Sequence, residues 1–227
     1  MILAVTAGKG GVGKSTVAYN LGAELDAVVI DADLGMADLP ATHGPDLHDV
    51  LAGRAAPLES VREEGPVDLL PCGRSLAGAR AADPAALAET VTAVAAAYDR
   101  VVIDSPAGLR SDACLPLYAA EACLLVTQPT RPAIADALRA RELARVIETP
   151  LARVALNRVD PDRFDGAAGG LDRIASTLDG PVTPIPDSAA VARAQRAGQP
   201  VGRLAPDSRP ARQFAELASQ VRRALEP

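Results

Sequence analysis

The sequence predicts a single α/β domain over residues 1–227, with a mostly parallel central sheet and helices on both faces. Two observations lead there. Short apolar runs alternate with helix-like stretches along the whole chain, which is the pattern of strand–helix–strand crossovers. The runs are continuously hydrophobic rather than alternating, as strands covered on both faces require. A length of 227 residues fits one domain with a core of its own.

The first apolar run, 2–6, leads through a glycine-rich turn into a helix over 15–25, with Val17, Leu21 and Leu25 on its apolar stripe. Further strands are expected at 27–31, 67–70, 101–104, 123–127, 154–157 and 182–185. Helices are expected at about 84–98, 131–147, 168–178 and 188–197. The segment 84–98 opens on Asp83-Pro84, a good N-cap and first-turn pair. The polar, Gly-rich stretch 161–170 reads as a turn. Segment 208–225 places Phe214, Leu217, Ala218, Val221 and Leu225 on one helical face. A helix packed on the sheet is expected there rather than one lying on a membrane, because only Arg222 and Arg223 follow on the basic side.

Composition narrows the function. The only aromatic residues are Tyr19, Tyr98, Tyr118, Phe164 and Phe214, so the core must be built from Ala, Val, Leu and Ile. A net charge of −6 argues against broad, non-specific binding to nucleic acid. Cys72, Cys114 and Cys123 form no C-x-x-C pair and read as reduced, packed thiols of a cytoplasmic protein. Residues 1–7 lack a charged leader region, and no apolar run reaches the length of a membrane span, so neither signal peptide nor membrane helix is expected. His43 and His48 have no third ligand at metal-binding spacing and read as solvent-facing loop residues.

The chemistry begins at the first turn. Gly8-Lys9-Gly10-Gly11-Val12-Gly13-Lys14-Ser15 satisfies G-x-x-x-x-G-K-S between a strand and a helix. Backbone N–H groups of Gly10, Gly11, Val12 and Gly13 can surround phosphate oxygens, and the helix N-terminus adds its positive end. Lys14 is expected on the β- and γ-phosphates, Ser15 on Mg²⁺, and Thr16 at the α-phosphate. Of the 23 basic residues only Lys9 and Lys14 are lysine, and both lie in this loop. A compact ammonium fits a phosphate cradle where a planar guanidinium does not.

Three other strand ends carry polar groups. Asp31 and Asp33 close the second strand two residues apart, on one side of it, where they can hold Mg²⁺ or orient an attacking water. Asp104 ends an apolar strand in the manner of a magnesium-holding Walker B carboxylate, and Gly108 follows with an N–H able to approach a γ-phosphate. Asn157 offers a donor and an acceptor to the amino edge of adenine.

These stretches resemble one family. Lys9-Gly10-Gly11-Val12-Gly13-Lys14-Ser15-Thr16 is similar to the deviant Walker A motif of the MinD/ParA ATPases, which have the P-loop nucleoside-triphosphatase fold. Asp104-Ser105-Pro106-Ala107-Gly108 looks like the MinD switch II, and Leu47-His48-Asp49-Val50-Leu51-Ala52-Gly53 fits archaeal-type MinD. The resemblance implies ATP and Mg²⁺ as cofactors and a homodimer formed with ATP. It implies that Lys9 crosses the dimer interface to the partner's nucleotide, that Asp33 positions the hydrolytic water, and that Asp31 sits near the metal. It assigns adenine selection to Asn157 and a place over the base to Asp187. Asp38 stands where Asn is commoner in this family. Turnover is expected to be slow until an activator or adaptor protein binds, and attachment to a membrane surface would run through a partner, since no clear C-terminal anchor is seen. Three alternatives share the loop: a ParA-type DNA-partitioning switch, an iron–sulfur carrier or reductase, and a metabolic ligase.

Overall fold

A computed structural model describes residues 1–35, 39, 43–73, 75–108, 111–160 and 169–226. Seven strands form one parallel sheet: β1 (Ile2–Thr6), β2 (Val28–Asp31), β3 (Leu69–Leu70), β4 (Val101–Asp104), β5 (Ala122–Thr127), β6 (Leu151–Val159) and β7 (Val182–Pro186), in the order β3-β2-β4-β1-β5-β6-β7. All seven expected strands are present. The third begins two residues later than expected and ends where expected, before Pro71, which has no N–H for the ladder. The prolines of β7, Pro184 and Pro186, sit on an edge strand, where the missing donors leave no partner unsatisfied.

Alternation along each strand sends side chains into two separate cores. Leu3, Val5, Val29, Val102, Leu124 and Val126 point to one face, against α1 (Lys14–Leu25) and the last helix, Arg209–Leu225. Val28, Ile30, Val101 and Ile103 point to the other, against Leu87, Val91 and Val94 of the helix Leu87–Tyr98. Helices Ser111–Ala119, Arg131–Val146 and Gly170–Leu178 continue that second layer over Ala4, Cys123, Leu125 and Val154.

The last helix buries Phe214, Leu217, Ala218 and Val221 in the first core, so its apolar stripe is covered by the chain itself. Asp83 caps a short 3-10 turn, Pro84–Ala86, before the helix that follows. Among the described residues, the short α-helices Leu47–Leu51, Leu76–Ala81, Ser111–Ala119 and Val201–Leu204 carry no expectation from sequence. Among the described residues, no helix is long and apolar enough to cross a membrane.

Candidate active site

The carboxyl end of β1 lies between β4 and β5, and the glycine turn rises from it at that point of the sheet. Two glycines there are obligatory. A Cβ on Gly8 would lie 1.9 Å from the Asp136 carbonyl oxygen of the helix Arg131–Val146, so β1 could not leave the sheet on this path. Gly13 has φ +95, and a Cβ on it would meet Asn157 Nδ2 at 2.2 Å. Gly13 is also the N-cap of α1; no side chain caps that helix, and no acidic residue lies in its first turn. The first-turn N–H groups therefore face an anion without competition.

Above this helix end opens a cavity of about 800 Å³. Lys9, Gly10, Gly11, Gly13, Lys14, Ser15 and Thr16 line its floor, with Asp33 on one side and Pro106 and Ala107 on another. The volume suits a nucleotide-sized ligand. Lys9 is half-buried at the loop, with no acidic partner recorded among the described residues. Val12 is buried and serves the loop differently: its carbonyl accepts from Asn157 Nδ2 at 2.8 Å, while Gln128 Nε2 donates to the Gly11 carbonyl at 3.3 Å.

Charge is concentrated beneath the loop. Lys14 Nζ lies 2.6 Å from Asp104 Oδ1, and both side chains are buried. The two groups expected on phosphate and on metal are thus paired with each other, which compensates each charge. Asp31 is fully buried beside them, and its Oδ1 accepts from the Asp33 N–H at 3.3 Å. Burial, and then the neighbouring Asp104 carboxylate, push its pKa up to about 7. Two buried carboxylates side by side under the loop, Asp31 and Asp104, with the Ser15 hydroxyl in the cavity lining, are oxygen donors of the hard type that Mg²⁺ takes, so the residue types present fit that ion.

Asp31 and Asp33 do not share one side of the strand, because β2 ends at Asp31 and the alternation ends with it. Asp31 turns inward, and Asp33 lies beyond the strand on the cavity wall. Gly108 has φ +101, and its N–H is bonded to the Ala7 carbonyl at 3.1 Å. Asn157 sits two residues before the end of β6, at a break in register with β7, and Arg158 next to it has φ +55. That bulge swings Arg158 onto the cavity wall. Asp187 is exposed, and the cavity lining does not include it. Asp38 lies outside the described residues.

The far wall was not read from sequence. Tyr19, Asn20, Gln195, Gly198 and Gln199 complete the cavity, with Asp112 near its rim. The Tyr19 hydroxyl donates to the Gly198 carbonyl at 2.9 Å, and Asn20 Oδ1 accepts from the Val201 N–H at 2.7 Å. Tyr19 and Asn20 each stand five residues along α1, from Lys14 and Ser15 respectively, which was the one available signal: polar groups on the buried side of a phosphate-binding helix.

A second expectation is overturned. His43 is exposed, but His48 is buried, because it lies in the helix Leu47–Leu51 and not in a loop. Its Nε2 is 3.1 Å from the Leu34 carbonyl and 3.5 Å from Cys72 Sγ. Cys72 and Cys123 are buried, and burial holds both thiols well above the usual range. Among the described residues, no group of three His, Cys, Asp or Glu stands at metal-binding distance.

Comparison with known proteins agrees with this geometry. Residues 3–201 match the model of the CobQ/CobB/MinD/ParA nucleotide binding domain. The septum site-determining protein MinD of Thermotoga maritima is 32% identical over 97% of this chain and 88% of its own length. Among solved structures, the cell division ATPase MinD of Pyrococcus furiosus superposes with a TM-score of 0.87 at 29% identity, covering 98% of both chains. The septum site-determining protein MinD of Pyrococcus horikoshii, solved with Mg-ADP, gives 0.86 at 28% identity, covering 97% of this chain and 95% of the other. With its glycine loop, its parallel sheet and these relatives, the chain belongs to the CobQ/CobB/MinD/ParA family of nucleotide-binding domains, on the MinD/ParA side.

Proposed function

We propose that this chain is an ATP-hydrolysing dimerisation switch of the MinD type, which positions a cellular machine through ATP-dependent pairing of two copies. The observation that carries the reading is the loop itself. The only two lysines of the sequence flank its glycines, one buried under the cradle and one half-buried at the cavity. A plain nucleotide pocket requires Lys14, whereas Lys9, at the cavity, has no acidic partner among the described residues of its own subunit.

ATP would place its phosphates over the N-terminus of α1, bound by the N–H groups of Gly10, Gly11, Val12 and Gly13 and by Thr16. Lys14 then exchanges Asp104 for the β- and γ-phosphates. Mg²⁺, held by Ser15, Asp31 and Asp104, would supply electrostatic stabilisation of charge on the phosphate oxygens. Asn157 keeps its Nδ2 on the Val12 carbonyl, which leaves Oδ1 to accept from the amino group of adenine. Asp187 stays a candidate for the loop over the base, acting through its main chain. Asp33, on the cavity wall, orients the attacking water. Gly108 would trade the Ala7 carbonyl for the γ-phosphate, so that switch II reports whether triphosphate is present.

Two such subunits meet face to face, and each Lys9 reaches the partner's phosphates. An ammonium inserted in trans acts like an arginine finger, stabilising charge that grows on the leaving group. Hydrolysis removes the γ-phosphate and with it the reason to pair. Turnover stays slow until a partner protein binds, and that partner supplies the location, including any membrane surface.

The test is Lys9→Ala, studied by light scattering with ATP. Nucleotide binding should persist while the ATP-dependent dimer disappears. Equal dimer fractions in variant and parent would remove Lys9 from the interface.

A further inference from the structure

The segment after β2 carries the carboxylate proposed to orient water, and its backbone is held on every side. The Ala32 N–H donates to the Asp104 carbonyl at 3.0 Å, which extends the β2–β4 ladder by one bond. The Asp33 N–H donates to Asp31 Oδ1. The next two carbonyls are held by side chains from far away in sequence: Cys72 Sγ donates to the Asp33 carbonyl at 3.3 Å, and His48 Nε2 lies 3.1 Å from the Leu34 carbonyl. We infer that His48 and Cys72 are positioning residues for Asp33, fixing the direction in which its carboxylate enters the cavity; this rests on the reading of Asp33 given above.

A buried histidine often only satisfies its own core. Here the surroundings are built around it. The helix Leu47–Leu51 is only five residues long, yet it carries a complete capping box between Asp46 and Asp49. That box fixes the turn on which His48 sits. Gly73 and Gly78 leave room for the imidazole: a Cβ on Gly73 would lie 2.3 Å from Nδ1, and one on Gly78 would lie 3.0 Å from it. Three chain segments therefore converge on one ring.

The ring's hydrogen bonding follows from its acceptor. A carbonyl can only accept, so the proton of the neutral ring sits on Nε2. The same N–H faces the Cys72 sulfur at 3.5 Å, and the thiol passes its own hydrogen to the Asp33 carbonyl. Two consecutive carbonyls, one imidazole and one thiol thus form a closed brace behind the catalytic loop. Among the described residues Nδ1 has no hydrogen-bond partner, so the polar contacts of the ring there are those of this brace. Neither side chain lines the nucleotide cavity. Their effect must fall on the chemical step and not on affinity.

The experiment measures single-turnover ATP hydrolysis and ADP affinity on the full chain, for His48→Leu, His48→Gln, Cys72→Ala and Asp33→Asn. Letting Asp33 drift by an ångström should slow hydrolysis by about 10- to 100-fold in His48→Leu, with ADP affinity unchanged within about twofold. His48→Gln, whose amide N–H falls near the lost Nε2–H, should recover most of the rate, and Cys72→Ala should show a smaller loss. His48→Leu added to Asp33→Asn should slow hydrolysis no further, because both act through one carboxylate. If Asp33→Asn is slow while both His48→Leu and Cys72→Ala hydrolyse at the parent rate, the brace has no such role. Loss of rate and affinity in equal proportion, without rescue by His48→Gln, would assign a purely structural role. A parent rate in Asp33→Asn would instead sink the reading of Asp33 itself. Should His48→Leu fail to fold, Cys72→Ala decides by the same criteria.

Discussion

The two loops that flank the phosphate site are held by different means. After β2, Asp33 and Leu34 are pinned by side chains: the Asp31 carboxylate, the Cys72 thiol and the His48 imidazole. After β4, residues 105–108 are held by main chain on main chain, Ser105 N–H to the Val5 carbonyl and Gly108 N–H to the Ala7 carbonyl. A side-chain brace from buried residues gives one geometry. A backbone bond at a glycine can be exchanged for a phosphate oxygen at small cost. The first loop is suited to aim a water, and the second to sense whether a γ-phosphate is there.

The largest effect expected from breaking this arrangement lies at the junction of the two loops. Lys14→Ala leaves Asp104 buried without its counter-charge, which should destabilise the chain by about 3–5 kcal/mol in urea unfolding and abolish nucleotide binding. Adding Asp104→Asn should restore most of that stability but none of the binding.

A smaller change sharpens the first loop. The pKa of Asp31 is raised in the fold to about 7 from 3.8, so between those values the folded chain binds more protons than the unfolded one. Without metal, the contribution of Asp31 to stability should be most favourable below about pH 4 and be lost as the pH rises to about 7. Asp31→Asn should flatten that slope and gain up to about 4 kcal/mol above pH 7, roughly 10 °C in melting temperature. Thermal melts in chelator across this range will check it. A slope unchanged in the variant would mean that another group titrates.

The smallest effect concerns the second loop. Among the described residues nothing lies within 4 Å of a Cβ on Gly108, so Gly108→Ala meets the strain of its φ of +101, about 1 kcal/mol. Its stability should hardly change, while the ratio of affinities for a slowly hydrolysed ATP analogue and ADP should fall. An unchanged ratio would take the sensing role from this loop.

How much of this could be read from the chain depended on sequence distance. The seven strands were legible because burial on both faces leaves a continuous apolar run, and the loop because eight consecutive residues carry it. The fixed spacing of Asp104 and Gly108 made the second loop nearly as plain. The brace behind the first loop was not legible. His48 and Cys72 act on carbonyls some 14 and 39 residues away, and carbonyls have no sequence signature. The helix Leu47–Leu51 is too short to show a period, so His48 read as a loop residue. The base side of the cavity was hidden likewise, since Arg158 owes its place to a bulge and Gly198 to a turn held by Tyr19.

The account rests most on Lys9 acting across an interface, and mixing two variants tests that directly. Lys9→Ala keeps Asp33 and lacks the donated ammonium; Asp33→Asn keeps the ammonium and lacks the carboxylate. Each alone should hydrolyse ATP slowly. In an equimolar mixture with ATP, heterodimers should contain one complete site, and hydrolysis should rise well above the sum of the two. A mixture no faster than that sum, with mixed dimers present by mass, would place Lys9 in its own subunit and contradict the switch.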